Sequence, residues 1–183
     1  APILVMLNGP TNRGQIDRLN PALNVEASFS SGGNEGMAQD LLGNLYVADD
    51  TAMPSTFQTI HLAAQREDGS LTDPALERDI DAPGSATVKG IAVAHEAGLL
   101  FAANVGGNSI EVFGTAAGDM AQPLASTALS ANCWDLAYNE TQDILFLAMT
   151  DGTILVVDDY VAGGFDATGG RSITPGDGSS ISN

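Results

Sequence analysis

The sequence repeats a two-strand pattern at intervals of about 45 residues, and this repeat restricts the possible folds more than any other feature. The segments "GMAQDLLGNLYVADD", "GIAVAHEAGLLFAANV" and "WDLAYNETQDILFLAM" begin at Gly36, Gly90 and Trp134. Each reads as a short strand, a polar turn and a second strand of the form apolar–aromatic–apolar–Ala. Repeats of this length predict units that bury their apolar faces against their neighbours in the chain.

A third and a fourth strand are predicted in each unit. The third strands, "TFQTIHLA", "NSIEVFG" and "GTILVVDD", centre on Ile60, Ile110 and Ile154, which are 50 and 44 residues apart. Asp151-Gly152, between two apolar runs, is a strong signal for a β-hairpin. More polar fourth strands follow in "ALERDIDA", "PLASTALSA" and "RSITP". The N-terminal "PILVMLN", "GQIDRLN" and "NVEASFS" match the second to fourth strands of another unit, with Ile16 placed 44 residues before Ile60.

Four-stranded units of this period are typical of β-propeller blades. The sequence therefore predicts an all-β β-propeller of about four four-stranded blades, at residues 1–30, 36–82, 89–131 and 134–175, with a tail at 176–183. The alternative is a β-sandwich, whose turns recur about every 8–12 residues. The predicted core between blades comprises Leu45, Val47, Leu100, Ala102, Leu145, Leu147, Ile110, Ile154 and Val156. Cys133 is predicted to be a small buried hydrophobe, since the charge around it is negative.

The first blade lacks a first strand, and two sources for it are open. The tail "GDGSSISN" resembles "SSGGNEG", the approach to a first strand, so it can close a four-bladed ring. Alternatively, the four units are half of a seven- or eight-bladed ring that further residues or a second copy complete, and we favour this half-ring. Open blade edges are rarely left uncovered. We then expect apolar surface on the first and last blades.

The segment "KGIAVAHEAGLLFAANVGGNSIEVFG" (89–114) resembles repeats of the YVTN, NHL and lactonase-like propeller superfamily. "GNLYVADD" (43–50) looks like the second strand of the same repeat. The resemblance covers most of the chain at the level of single blades. It implies the propeller fold but no particular activity, because these propellers include lactonases, oxidoreductases, surface proteins and interaction modules.

Composition excludes some partners. The chain has 23 acidic and 6 basic side chains and a formal net charge of −17, so binding to a nucleic-acid backbone is not expected. The acidity predicts a solvated surface, with calcium sites or a basic partner as the alternative. Apolar runs are too short for a membrane span. The start at Ala1-Pro2 is what a processed, exported protein looks like, so we expect an extracytoplasmic (periplasmic, secreted or cell-surface) location.

Candidate binding residues are sought in the loops at one end of the predicted blades, because a rigid scaffold positions such loops. These loops join second to third strands or enter first strands. The candidates are Asn8, Arg13, Glu35, Asp49, Asp50, Met53, Lys89, Asn104, Trp134 and Asp151. Asn8, Asp49 and Asn104 are aligned just after a second strand. Either they form a ring of oxygen ligands, or they cap local turns, which we favour.

The metal-dependent gluconolactonase and regucalcin-like branch has an Asn-Gly-apolar-Ala entry to the first strand, whose Asn binds a divalent metal. The matching positions here are Glu35, Lys89 and Trp134. A lysine and a tryptophan offer no oxygen ligand to a hard cation. No cofactor is therefore expected, with Ca²⁺ bound by Glu35, helped by Asp49 or Asn104, as the alternative.

The sequence contains no catalytic motif of a known type, such as G-x-S-x-G or H-E-x-x-H. We therefore expect a non-catalytic β-propeller module for protein–protein interaction or assembly, with a protein partner or a second copy of the chain. The alternative is a lactonase-like sugar-lactone hydrolase that uses carboxylates such as Glu35, Asp49 and Asp50.

Overall fold

The structure, a computed structural model, describes residues 3–31, 33–49, 57–63, 66, 70–71, 78–83, 87–118 and 121–174. These residues form fifteen strands and no helix. The strands make four antiparallel sheets, and within each sheet the strand order follows the chain. This is the predicted all-β organisation, and the four sheets are consistent with propeller-like blades.

The first sheet has three strands and the other three have four. Blade 1 comprises β1 (Ile3–Leu7), β2 (Gln15–Leu19) and β3 (Val25–Ser30). Blade 2 comprises β4 (Met37–Gln39), β5 (Leu45–Asp49), β6 (Phe57–Ala63) and β7 (Arg78–Pro83). Blade 3 comprises β8 (Val88–Ala94), β9 (Leu99–Asn104), β10 (Ser109–Gly114) and β11 (Ala125–Ala128). Blade 4 comprises β12 (Cys133–Asn139), β13 (Ile144–Met149), β14 (Ile154–Asp158) and β15 (Arg171–Ile173).

The first strands of blades 2, 3 and 4 approach one another closely at glycine residues. Gly36 N donates a hydrogen bond to Lys89 O at 2.6 Å, so blade 2 is joined to blade 3 through its backbone. A Cβ atom on Gly90 would lie 2.6 Å from Asp135 Cα. Only residues without a side chain allow backbones to pack this closely. Gly36 and Gly90 therefore allow the start of blade 2 to pack closely against β8, and β8 against β12.

Three apolar clusters lie between consecutive blades, and each is built in the same way. We call the face of a blade that points toward the preceding blade its upstream face, and the opposite one its downstream face. Ile16 from blade 1 packs with Leu45 and Val47 from blade 2. Tyr46 and Ile60 of blade 2 meet blade 3, and blade 3 meets blade 4 in the largest cluster. None of these clusters joins blade 4 to blade 1, and the described residues form no closed ring.

Eight of the nine predicted core residues are buried, and Cys133 is buried as expected. Burial, followed by the charge of Asp135, raises the pKa of the Cys133 thiol to about 12. Ile154 is the exception, because it is only partly buried. It is paired with Ala148 on the downstream face of blade 4, where no further blade of the described chain covers it.

The alignment of Asn8 with Asp49 and Asn104 is wrong by one residue. Met6 is paired with Ile16, just as Ala48 is paired with Ile60. Leu7 therefore occupies the position of Asp49, and Asn8 lies beyond it, exposed. Shifting a strand by one residue would turn its apolar side chains to the opposite face, so the burial of Ile16 fixes this register.

Asp143 closes the turn at the far end of blade 4. Its carboxylate accepts hydrogen bonds from Tyr138 Oη, Val161 N and Ala162 N, each at 2.8 Å. Burial is the largest single influence and opposes ionisation, but the three hydrogen bonds together lower the pKa of Asp143. The ionised carboxylate thus holds the β14–β15 connection onto the β12–β13 turn.

Replacing Asp143 by Asn is expected to lower the free energy of unfolding by about 1–3 kcal/mol at neutral pH, because charge-assisted hydrogen bonds are lost. Since the folded pKa lies below the ordinary 3.8, the contribution is complete above that pH and disappears as the pH falls through the folded pKa. Urea titrations of both proteins at about pH 6 and about pH 3 measure this. An equal difference in stability at the two pH values would contradict the assignment.

Candidate functional site

Glu35, Lys89 and Trp134, which the repeat places at one position of three consecutive blades, lie together in the structure. Lys89 Nζ is 2.8 Å from Glu35 Oε1. The same ammonium lies 5.0 Å from the centroid of the Trp134 ring. The Lys89 and Glu35 side chains are only 12% and 17% exposed, so the ion pair is largely shielded from water. A cation held by a carboxylate and an indole face gains from both contacts.

Asn34, which the sequence analysis did not single out, belongs to the same cluster. It is buried, and its Nδ2 donates a hydrogen bond to Glu35 Oε1 at 3.3 Å. Its backbone N–H and that of Glu35 both donate to Ala48 O, so the loop is fixed to β5. Its position next to a candidate, in "NEGMA", is the only sequence signal that points to it.

This cluster does not fit the metal that the lactonase-like resemblance implies. The carboxylate that would serve as a ligand is engaged by the Lys89 ammonium, which repels a divalent cation. Within the described ranges, no group of three or more His, Cys, Asp or Glu side chains is placed to hold a metal ion. The arrangement is instead a clamp that links the loop before β4 to β8 and β12.

Replacing Lys89 by Met is expected to lower the free energy of unfolding by about 1–3 kcal/mol, because Glu35 is left without its charged donor. Glu35→Gln should have a similar effect, and the double variant should cost less than the two single changes added together. Urea titration of the four proteins gives this coupling. Arg171→Met is the control: the Arg171–Asp158 pair is exposed, and its loss should cost less than about 1 kcal/mol.

Additive effects of the Lys89 and Glu35 changes would contradict the clamp. So would a loss at Arg171 as large as that at Lys89.

The other loop candidates do not converge on one site. Asn104 Oδ1 accepts a hydrogen bond from Gly107 N at 2.9 Å, and Asp151 Oδ1 accepts from Thr153 N and Oγ1 at 3.0 and 2.7 Å. These bonds are turn caps, and those from Thr153 lower the pKa of Asp151. Asp49 is buried at the end of β5.

Arg13 is the candidate that borders an open cleft. It lines a cavity of about 330 Å³ on blade 1, together with residues that include Asn12, Gln15, Ser28 and Phe29. Asn8, which is close to Arg13 in the sequence, is exposed but does not line this cavity. Asp50 and Met53 lie outside the described residues.

A second feature is the downstream face of blade 4, which is mostly apolar. It holds a cavity of about 190 Å³ that Asp135, Leu136, Ala137, Phe146, Ala148 and Ile154 line. Phe146 occupies the position of Tyr46 and Phe101, which are 2% and 0% exposed because the following blade covers them. Ala148 and Ile154 likewise match fully buried residues in blades 2 and 3. These side chains are only partly buried in blade 4.

The upstream face of blade 1 is open in the complementary way. Ile3 is 44% exposed and Val5 is 37% exposed. The matching residues of blades 2, 3 and 4 are all 0% exposed: Leu45 and Val47, Leu100 and Ala102, and Leu145 and Leu147. The edge of β1 that a first strand would occupy in the other blades is also unpaired among the described strands. The candidate functional site is therefore this pair of open faces.

Sequence reasoning predicted apolar surface on the first and last blades but did not identify its residues. The repeat alignment contained the signal, because Phe146 and Ile154 match residues buried in the preceding blades. The described part of the chain contains no helix that is long and apolar enough to cross a membrane.

No family model matches the chain, and no curated protein matches it. Among solved structures, the chain is similar to hydrazine synthase from Kuenenia stuttgartiensis, a β-propeller-containing protein, with 14% identity and a TM-score of 0.61. The match covers 89% of this chain and 45% of that one, so the chain spans less than half of the protein it resembles. At this identity the similarity shows the fold alone: an all-β chain with propeller-like sheets.

Proposed function

We propose that this chain is a non-catalytic β-propeller segment that assembles with other polypeptide through its two open blade faces. The observation that carries the proposal is the position of Phe146. Its counterparts Tyr46 and Phe101 are buried between blades, whereas Phe146 lies in an open apolar cavity. The same residue type at the same register thus marks an inter-blade surface that the described chain leaves uncovered.

The physical reason for binding is the apolar area on these faces. Burying one Val, Ile or Phe side chain contributes about 1.5–3 kcal/mol. Ile3 and Val5 on blade 1 and Phe146 and Ile154 on blade 4 are available for this. The edge of β1, which no other described strand pairs with, adds backbone donors and acceptors that an incoming strand can use. Both features favour a β-sheet polypeptide as the partner.

The repeats "KGIAVAHEAGLLFAANV" and "GNLYVADD" support a closer assignment to the YVTN, NHL and lactonase-like type of blade, which we include in the proposal. Members of that group include modules without catalytic activity. An extracytoplasmic location, periplasmic, secreted or at the cell surface, is part of the same proposal. The lactonase alternative gains no support from the described residues, because Glu35 is committed to Lys89.

A photo-crosslinking amino acid placed at Phe146 tests the proposal in the cells that produce the protein. We expect crosslinks to polypeptide from Phe146, and from a second probe at Ile3. Leu42 is the matched control, because it is 69% exposed and apolar but lies in the β4–β5 turn, away from both faces. Crosslinks no more frequent at Phe146 and Ile3 than at Leu42 would contradict the proposal, as would turnover of sugar lactones by the purified chain.

A further inference from the structure

We infer that the polypeptide covering these faces is a second copy of this chain, joined head to tail so that two copies form one ring. This inference rests on the proposed function and names its partner. Blade 4 of each copy covers blade 1 of the other with its downstream face. The contact repeats between copies what occurs three times within one chain.

The three internal contacts define which faces fit each other. In every case, a downstream face of one blade packs on the upstream face of the next. The face left open on blade 4 is a downstream face, with Phe146, Ala148 and Ile154. The face left open on blade 1 is an upstream face, with Ile3 and Val5. Each copy therefore carries both halves of the interface, and a second copy meets the requirement without any other partner.

The pairing between copies continues the register of the internal contacts. Val5 stands where Val47 stands in blade 2, and Val47 packs in the cluster that contains Ile16 of blade 1. Ile154 stands where Ile16 stands in blade 1. Placing Val5 of one copy and Ile154 of the other in one apolar cluster thus reproduces, between copies, the arrangement of the cluster between blades 1 and 2.

A head-to-tail interface produces a closed ring when its rotation closes, and two interfaces in one ring stabilise each other because the second forms within a single complex.

Two single variants, each blocking one face, test the inference by sedimentation velocity. Val5→Asp blocks the upstream face, and Ala137→Glu blocks the downstream face at an exposed position beside Phe146. Each places a charge in the proposed interface, so each alone should raise the dissociation constant of the dimer more than about 100-fold. Leu42→Asp, outside both faces, should leave it unchanged.

A mixture of the two variants gives the decisive result. The Val5→Asp copy keeps an intact downstream face and the Ala137→Glu copy keeps an intact upstream face, so an equimolar mixture should form a heterodimer through one interface. Circular dichroism confirms that each variant is folded, and Ile3→Asp replaces Val5→Asp if the latter is not.

A wild-type dimer whose variants do not recover dimerisation when mixed would overturn the head-to-tail pairing. A wild-type chain that stays monomeric would overturn the second copy as partner. In that case, crosslinks from Phe146 to another polypeptide would still support the proposed function, whereas their absence would remove both proposals.

Discussion

Replacing Phe101 by alanine is expected to lower the free energy of unfolding by about 3–5 kcal/mol, because it empties the centre of the largest apolar cluster. Phe101 is fully buried between blades 3 and 4. Its ring makes edge-to-face contacts with Tyr138 and Tyr160, at centroid distances of 5.0 and 5.3 Å. Aromatic pairs of this geometry add stability beyond the area they bury. Urea titration of the wild-type and variant chains measures the loss.

Phe146 supplies the matched control, since it occupies the same register position in blade 4 but is not covered by another blade. Phe146→Ala should cost less than half as much, provided that the titration is made at concentrations where the chain is monomeric. Equal losses at the two positions would mean that the downstream face of blade 4 is already covered within one chain.

Replacing Gly90 by alanine is expected to cost about 1–3 kcal/mol or more, which is the range for forcing an extra group into a packed interior. The added Cβ would meet Asp135 Cα at 2.6 Å and Leu136 N at 2.9 Å. These atoms belong to the backbone of β12, so relief requires blades 3 and 4 to move apart. The thermal unfolding midpoint should fall accordingly.

Gly114→Ala is the control for this change. It is also a strand glycine, at the end of β10, but an added Cβ would meet nothing within 4 Å. Its effect should be neutral or slightly stabilising, because alanine restricts the unfolded chain. A Gly90 variant as stable as the Gly114 variant would show that the first strands do not pack as closely as described.

Much of the fold could be predicted from the sequence because the repeat records the same physical requirement several times. The third strand of each repeat unit was predicted from the spacing of four isoleucines, and the structure places each of them in a strand: Ile16, Ile60, Ile110 and Ile154. The apolar–aromatic–apolar–Ala strands are those buried on both faces in blades 2 and 3. Local patterning was sufficient here, because each strand must alternate its side chains between two neighbouring blades.

The register of β1 could not be predicted in the same way. "ILVML" is apolar at every position, so it shows no alternation that would distinguish one face from the other. The register of β1 is set by its partner strand β2, through the pairing of Met6 with the buried Ile16. A pairing between strands depends on contacts that a single uniform segment does not encode.

The candidate site was predictable in part. The three first-strand positions were recognised as equivalent, but their assembly into a Glu35–Lys89–Trp134 clamp depends on the close approach of three blades. The partial exposure of Ile154 was not predicted, because the matching residues of the repeat, Ile60 and Ile110, are buried. In the described part of the chain, no further sheet follows blade 4 to cover Ile154.

Sedimentation equilibrium of the unmodified chain shows directly whether a second copy covers the open faces of blades 1 and 4. We expect a species of twice the 18.7 kDa of the chain, which dissociates on dilution. A folded, stable species of 18.7 kDa at every concentration would contradict it.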